Sequence, residues 1–593
     1  MKKSTRTLRN LLYLIKPYWS HGKLYLLGRL ATPLLLAPAL ALVDVTLLQA
    51  VISAVSSGAT LAQTLTTAAA YSAAWFGLQL LHWGFLLLYD RWKIVEVQAK
   101  IKRSIYAQAI ATDYKYFDNP EFYNDFTFAT RELTGQSEQA LGLLGQFIGL
   151  VATSVTMIAY ISRLGLWPVV IALAGSALGV FAQKGIGRLG IARAKEELPF
   201  ERKMDYTHRV FYQQPFAADL KNPRLADALL SSFTRSGNGK IGVVKRYAKM
   251  NMLWSAVNLA SQMLSQLGIL TYLIFCAYRR GLGVGALAGL FAATLRLSGM
   301  LNQFADLSGQ TMKTGLYAEK IRKFFALEST IEAQGGDTQK KPAPGAFALE
   351  LRGAHFAYPH SDFALRDLNI SVQPGEKIAI VGENGAGKST LAKLLLRLYD
   401  WEGGAYLING EPAHSYDVHA LRSCIGIAFQ QPNIYALPLR ENLCVYHDAA
   451  DETLRRILEE VRLPELLQGE APLDAQVTRE FDENGRMLSG GQAQKLALAR
   501  LLTGEFGLVL LDEPSSALDP LAEYELAKLM FGSANATTTI MIAHRLSTVR
   551  SADRIYLVAN GGVAEQGTHE ELMALGGKYA EMFNKQAENY VAK

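Results

Sequence analysis

Gly382–Thr390 reads "GENGAGKST", glycine-rich and ending in Lys-Ser-Thr. Such a run is suited to phosphate: glycines let backbone N–H groups converge on an anion without side-chain obstruction, and a helix starting there adds positive potential. The apolar "KIAIV" precedes it and the helix-forming "LAKLLLRLY" follows, which is the strand, loop and helix order of a P-loop. Gly382, Glu383, Asn384, Gly385, Ala386, Gly387 and Thr390 then form a nucleotide cradle. Lys388 contacts the β- and γ-phosphates, and the Ser389 hydroxyl binds Mg²⁺.

Leu508–Asp519, "LVLLDEPSSALD", supplies acids: four apolar residues read as a buried parallel strand that delivers Asp512 and Glu513 at its end. Asp512 is placed to hold a magnesium shell and Glu513 to polarise an attacking water. Leu488–Lys495, "LSGGQAQK", is a second polar, glycine-rich loop ahead of a helix. A chain with one cradle for a nucleotide has no local use for a second.

These motifs need elements to hold them, and the 593 residues fall into two environments. Charges recur every few residues in the C-terminal half, as in a water-soluble globule. Upstream, six nearly charge-free stretches each approach the roughly 20 residues that cross a bilayer: Leu24–Ile52, Thr66–Tyr89, Ala140–Ile161, Leu164–Ala182, Met252–Tyr278 and Leu282–Phe304. The connections Arg91–Gln139 and Lys184–Lys249 are long and rich in Lys and Arg, whereas the others are short and poor in them. Both termini and both long connections therefore face the cytoplasm of a cell inner (plasma) membrane.

The net charge of +7 is accounted for by this flanking pattern. A nucleic-acid partner is not expected, because no basic face or stripe is gathered. Residues 1–23 place Leu8, Leu11, Leu12 and Ile15 at helical spacing among Lys and Arg, an amphipathic helix for the membrane surface. Cys276, Cys424 and Cys444 lie far apart without metal-ligand spacing and read as unpaired packing residues. The transmembrane part is assigned to residues 24–325, a Gly-, Pro- and charge-rich linker to 326–346, and the nucleotide-binding part to 347–593. Both long connections read as membrane helices continuing into water, broken at "YFDNPEFYND" and "FYQQPFAADLKNPRLAD", where each tip is expected to carry a short transverse helix.

The P-loop, the acid pair and "LSGGQ" (Leu488–Gln492) together resemble the ATP-binding cassette family. Six spans upstream in the same chain make the whole similar to a half-size ABC exporter. The resemblance implies an α-helical membrane domain with long cytoplasmic extensions fused to an α/β P-loop cassette that hydrolyses ATP with Mg²⁺. It implies that Tyr358 in "FAYP" stacks on adenine and that Gln430 in "IAFQQP" reaches the magnesium and the water. It implies that His544 in "MIAHRLSTV" contacts the γ-phosphate and that Asp519 belongs to a loop crossing to a partner. Ser489, Gly490, Gly491 and Gln492 would then close over ATP held by a second half-transporter, the same chain or a different one. The tips Phe117–Phe126 and Phe211–Leu220 would be coupling helices.

Four positions depart from the usual exporter pattern: Asp482 stands where a glycine is common, Ser515-Ser516 replace alanine–threonine, and Lys495 replaces arginine. None removes a catalytic group. Polar residues inside spans, namely Asp44, His82, Gln146, Gln262, Gln266 and Arg296, either line a central path or pair with one another. The expected cargo is an amphipathic small molecule or peptide, exported by alternating access. An importer on the same fold, or an ATP-gated channel or regulatory subunit, is the alternative.

Overall fold

A computed structural model describes residues 2–164, 167–335, 340–358, 364–514, 525, 528–529 and 537–591. The chain divides into two compact units: Met1–Ile110 with Glu121–Leu327, and Ala111–Pro120 with Glu328–Lys593.

The first unit is helical: α1 (Lys2–His21), α2 (Lys23–Ser56), α3 (Leu61–Gly84), a π-helical turn Phe85–Asp90, α4 (Arg91–Ile110), α5 (Pro120–Ile161), α6 (Trp167–Tyr212), α7 (Pro223–Arg280) and α8 (Val284–Phe325). Among the described residues five helices are long and apolar enough to cross a membrane: α2, the Phe126–Ile161 part of α5, α6, α7 and α8. The expected second span falls on α3 and the π turn. There Thr64, Thr66, Thr67, Ser72, Gln79 and His82 dilute the apolar character, and α3 is not among the five.

At 46 and 58 residues, α6 and α7 exceed the roughly 20 residues a bilayer requires, so each continues past the hydrocarbon, as expected. Proline sets where the helices restart. Pro120 and Pro223 stand at first helical positions, where the missing N–H costs no bond, and Asn222 caps α7 by accepting from the Arg224 N–H at 3.1 Å. The tips hold only 3₁₀ turns of three residues, Tyr114–Tyr116 at the first and Gln214–Phe216 with Asp219–Lys221 at the second.

Buried Ala41, Val45, Met157, Ala172, Ile269, Leu273, Leu290 and Leu297 join α2, α5, α6, α7 and α8 into one core. Close packing at the start of α8 follows from its glycines: a Cβ on Gly285 would stand 2.7 Å from the Gln49 carbonyl, and one on Gly289 2.8 Å from the Tyr160 hydroxyl. Two of the polar residues named in the spans turn to one another. Arg296 on α8 forms an ion pair with Asp44 on α2, so for these two the structure shows mutual pairing. Asp90 accepts from the Tyr25 hydroxyl at 2.8 Å and pairs with Arg29 at 3.0 Å. On α1, Leu11, Leu14, Ile15 and Tyr18 are buried against protein while Leu12 is exposed, so much of the apolar stripe packs on the bundle itself.

The second unit holds two sheets. One is antiparallel, in the order β2-β1-β4-β5, from β1 (Leu349–Ala357), β2 (Ala364–Val372), β4 (Gly403–Ile408) and β5 (Glu411–Pro412). The other runs β10-β9-β3-β8-β7-β6, from β3 (Lys377–Val381), β6 (Ile425–Ala428), β7 (Leu508–Asp512), β8 (Thr538–Ile542), β9 (Arg554–Ala559) and β10 (Gly562–Gly567). It is parallel except for the β9–β10 pair. Its central strands read as unbroken apolar runs because both faces are covered. Along β3, Ile378 and Ile380 enter one core with the antiparallel sheet, and Ala379 and Val381 enter the other.

Candidate functional site

The order β3-β8-β7-β6 puts four carboxyl-terminal strand ends side by side, the crevice where ligands of open parallel sheets bind. Each end delivers one element expected from the sequence: β3 the loop Gly382–Gly387, β8 His544, β7 Asp512 and Glu513, and β6 Gln430. One cavity of about 770 Å³ is lined by Tyr358, Asn384, Gly385, Gly387, Lys388, Ser389, Thr390, Gln430, Glu513 and His544.

Gly382 fits where no side chain would, since a Cβ there would lie 2.2 Å from the Val558 carbonyl oxygen. Gly387 takes φ +102 as it opens the helix Lys388–Leu395, a left-handed conformation that glycine adopts without steric cost. Glu383 pairs with Lys578 at 3.1 Å. Lys388 is 5% exposed, and its Nζ donates to the carbonyls of Gly382 and Glu383 at 2.9 and 3.0 Å. Burial pulls the Lys388 pKa down, opposed by the charges of Glu513 and Asp512. A buried cation beside a glycine-rich loop is complementary to a polyanion.

Ser389 Oγ donates to Asp512 Oδ1 at 3.3 Å. Burial raises the Asp512 pKa, and the neighbouring Glu513 charge adds to the rise. An aspartate carboxylate bonded to a serine hydroxyl, with Glu513 and Gln430 on the lining of the same cavity, offers hard oxygen donors of the kind that suit Mg²⁺, so the residues fit the expected ion. Glu513 sits at φ +49, unusual for a residue with a side chain, and is held there by its N–H to the Ile542 carbonyl at 2.9 Å. Its two oxygens are divided: Oε2 accepts from Gln430 Nε2 and Oε1 meets His544 Nε2, both at 2.6 Å. Tyr358 flanks the far side, its hydroxyl donating to Thr390 Oγ1 at 3.3 Å.

Ser489, Gly490, Gly491 and Gln492 stand apart from that lining. They open the helix Gly490–Leu501, where Ser489 Oγ accepts from the Gln492 N–H at 3.2 Å and Gln492 Oε1 from the Ser489 N–H at 2.9 Å. Asp482 has a local explanation: its Oδ1 accepts from the Asn484 N–H at 2.9 Å and its carbonyl from the Gly485 N–H, an Asx turn at a position where glycine is common. Asp519 lies outside the described residues, as do Ser515 and Ser516.

Sequence reasoning missed two residues that support the site. The amide of Gln586 on the helix Lys578–Val591 brackets the His544 segment, donating to the His544 carbonyl at 2.8 Å and accepting from the Leu546 N–H at 2.9 Å. Gln494, buried on the helix after the signature loop, donates to the Gln430 carbonyl at 3.4 Å. Neither carries a motif, because one amide on a helix resembles any other until its partners are seen.

The family described as ABC transporter matches residues 365–516. Among curated relatives, the "Subtilin transport ATP-binding protein SpaT" of Bacillus subtilis is 30% identical over 490 residues, 80% of this chain and 78% of that protein. The "ATP-dependent lipid A-core flippase" of Alkalilimnicola ehrlichii is 34% identical over 58% of each chain. The "Glutathione/L-cysteine transport system ATP-binding/permease protein CydC" of Escherichia coli is 36% identical over 50% of this chain and 51% of its own. Against these last two the match thus spans little more than half of the relative. A solved bacterial Atm1-family ABC exporter with ATP bound superposes at a TM-score of 0.79 over 95% of this chain and 98% of that one, at 21% identity, a likeness of fold. With its apolar helices and its cassette in one polypeptide, the chain is a multi-pass membrane protein of the ABC transporter family, built on the half-size exporter plan.

Proposed function

We propose that the chain is one half of a dimeric transporter that hydrolyses ATP to export amphipathic small molecules or peptides across the cytoplasmic membrane. The observation that carries this reading is the division of the Glu513 carboxylate between Gln430 and His544 inside the cavity lined by the P-loop. A carboxylate so held can orient a water toward the terminal phosphate and accept its proton, worth typically 10²–10⁴-fold for a positioned base.

Lys388 and the loop N–H groups hold the phosphates, and Tyr358 offers a ring for adenine. Ser389, Asp512 and Gln430 would hold Mg²⁺, which neutralises phosphate charge when bound. Ser489, Gly490, Gly491 and Gln492 lie outside this lining because, on this reading, they serve nucleotide held by the other half. Hydrolysis then replaces a shared γ-phosphate with repelling products, and closure of the two cassettes becomes reversible.

Cargo class is supported by the relative matched over most of its length, which is named for subtilin transport, and by others named for lipid A-core and glutathione or cysteine. The Lys- and Arg-rich connections support a cytoplasmic cassette. The test is reconstitution into proteoliposomes with outward-facing cassettes: ATP should drive accumulation of a peptide or amphipathic probe inside. Movement only down a gradient, or in the opposite direction, would overturn the export reading.

A further inference from the structure

The second unit contains a piece of chain from between two membrane helices. Ala111–Pro120, the first tip, groups with the cassette rather than with the helices it joins. Two sets of contacts fix it there, and they differ in chemistry.

One set is a clasp on the start of the cassette. Asp113, fully buried, accepts from the Thr330 N–H and hydroxyl at 2.8 and 2.9 Å and from the Ile331 and Glu332 N–H groups at 3.0 Å each. Lys115 pairs with it at 3.1 Å. Glu332 in turn pairs with Arg422 at 2.7 Å, so the clasped segment is itself tied to the cassette body. Apart from Lys115, the donors belong to one stretch, Thr330–Glu332, which suits a fixed attachment.

The other set is aromatic and leads to the nucleotide cavity. The Tyr114 ring stands edge-on to Tyr399 with centroids 5.8 Å apart, and the Tyr399 hydroxyl donates to Asp118. Tyr399 also stands edge-on to Tyr358 at 5.3 Å, and Phe356 packs on both rings at 5.4 and 5.0 Å. Tyr399 is 6% exposed, so a shift of the Tyr358 ring has no open space to relax into on that side. A rival connection exists on the phosphate side: Lys393, on the P-loop helix, holds its Nζ 5.1 Å above the Tyr114 ring.

We infer that Tyr399 is a positioning residue that transmits occupancy of the adenine side of the cavity from Tyr358 to the first tip, through ring contact with Tyr114 and the hydroxyl bond to Asp118. The inference rests on the reading of Tyr358 as the adenine platform. Adenine stacking fixes the Tyr358 plane, Tyr399 can then keep only the edge-on packing compatible with it, and Tyr114 and Asp118 follow. Asp113 keeps the tip attached while this happens, so the relay adjusts the tip without releasing it.

The two routes make opposite predictions for a ligand that lacks the base. The full-length Glu513→Gln chain in lipid nanodiscs, which does not turn over, is followed by hydrogen–deuterium exchange at residues 111–120, 350–358 and 382–390, with Mg·ATP or Mg·tripolyphosphate added. Mg·ATP is expected to slow exchange at all three segments, and tripolyphosphate only at 382–390. With Tyr399→Leu added, Mg·ATP still slows 382–390, but slowing at 111–120 falls at least fivefold; Tyr399→Phe, a mild change that removes only the hydroxyl, loses part of it. The inference is overturned if tripolyphosphate slows 111–120 as strongly as ATP. It is equally overturned if the tip responds to ATP unchanged in Tyr399→Leu, or if ATP slows the two cavity segments and leaves the tip alone. Slowing by neither ligand at 350–358 and 382–390 would reject the nucleotide site itself, and the relay with it.

Discussion

Glu513 Oε1 lies 2.6 Å from Nε2 of His544, and that contact joins the ends of two neighbouring strands, β7 and β8, at the point where chemistry is expected. The carboxylate is pinned from both sides, because Gln430 donates to its other oxygen. A group held this way is prepared for one task. Glu513→Gln keeps the shape and removes the base, so Mg·ATP binding should persist within about threefold while steady-state hydrolysis falls 10²-fold or more. Phosphate release assays beside equilibrium nucleotide binding check this; undiminished turnover would remove Glu513 from its role.

Gln586 holds the His544 segment by the backbone and is not among the residues that line the cavity. Gln586→Leu loses two hydrogen bonds of about 1 kcal/mol each, part of which appears as misplacement of His544, so kcat should fall about tenfold. KM for ATP should change less than threefold, since Tyr358 and Lys388 remain. Steady-state ATPase kinetics separate the two constants. A change confined to KM would mean that Gln586 acts on nucleotide binding instead.

Asp113 gives the attachment of the first tip a pH dependence. Burial by itself raises its pKa, but the donors of Thr330 and Glu332 and the Lys115 charge outweigh burial and hold it below the ordinary aspartate value. The folded pKa is thus lower than the unfolded one, so the stabilisation is complete above about pH 5 and is lost as pH falls below about 4, toward the folded value. Thermal unfolding of the full chain and of Asp113→Asn, compared across pH, should show a gap in Tm that is widest near neutrality and closes in acid. A gap that widened on acidification would contradict the sign.

Much of the site was legible beforehand because its chemistry is local. "GENGAGKST" folds as a loop running into a helix and "LVLLDEP" as a strand and the turn beyond it, so residue type and spacing specify the outcome without knowledge of distant contacts. The helix breaks in the stretches that contain Pro120 and Pro223 were readable for the same reason, though not the residues at which the helices restart. Tyr399, Asp113 and Gln586 were not, because their roles come from partners far along the chain, Asp113 to Thr330 being the plainest case. The second expected span, Thr66–Tyr89, is divided between α3 and the π turn Phe85–Asp90, and the place of that division is not visible in apolar length alone.

Asp44 and Arg296 illustrate the same limit, since nothing in their spacing told that they pair. Two opposite charges within spans are tolerable together and costlier apart. Asp44→Arg alone should lower the Tm of the detergent-solubilised protein clearly, and adding Arg296→Asp should recover at least half of the loss. Independent, additive losses in the double variant would mean that the pair contributes nothing as a pair.

The account depends on the signature loop of one copy meeting nucleotide held by another. A Lys388→Ala chain, with no P-loop lysine, is marked with heavy isotopes and co-assembled with an unmarked intact chain. The mixed dimers are then irradiated with an ATP analogue photoreactive at the γ-phosphate, and the modified peptides are mapped by mass. Label on the heavy peptide containing Ser489–Gln492 is the predicted result, since that loop would cover ATP on its intact partner. Label confined to the P-loop peptide of the intact chain, with the heavy signature peptide clean in dimers shown to have formed, would contradict the shared site.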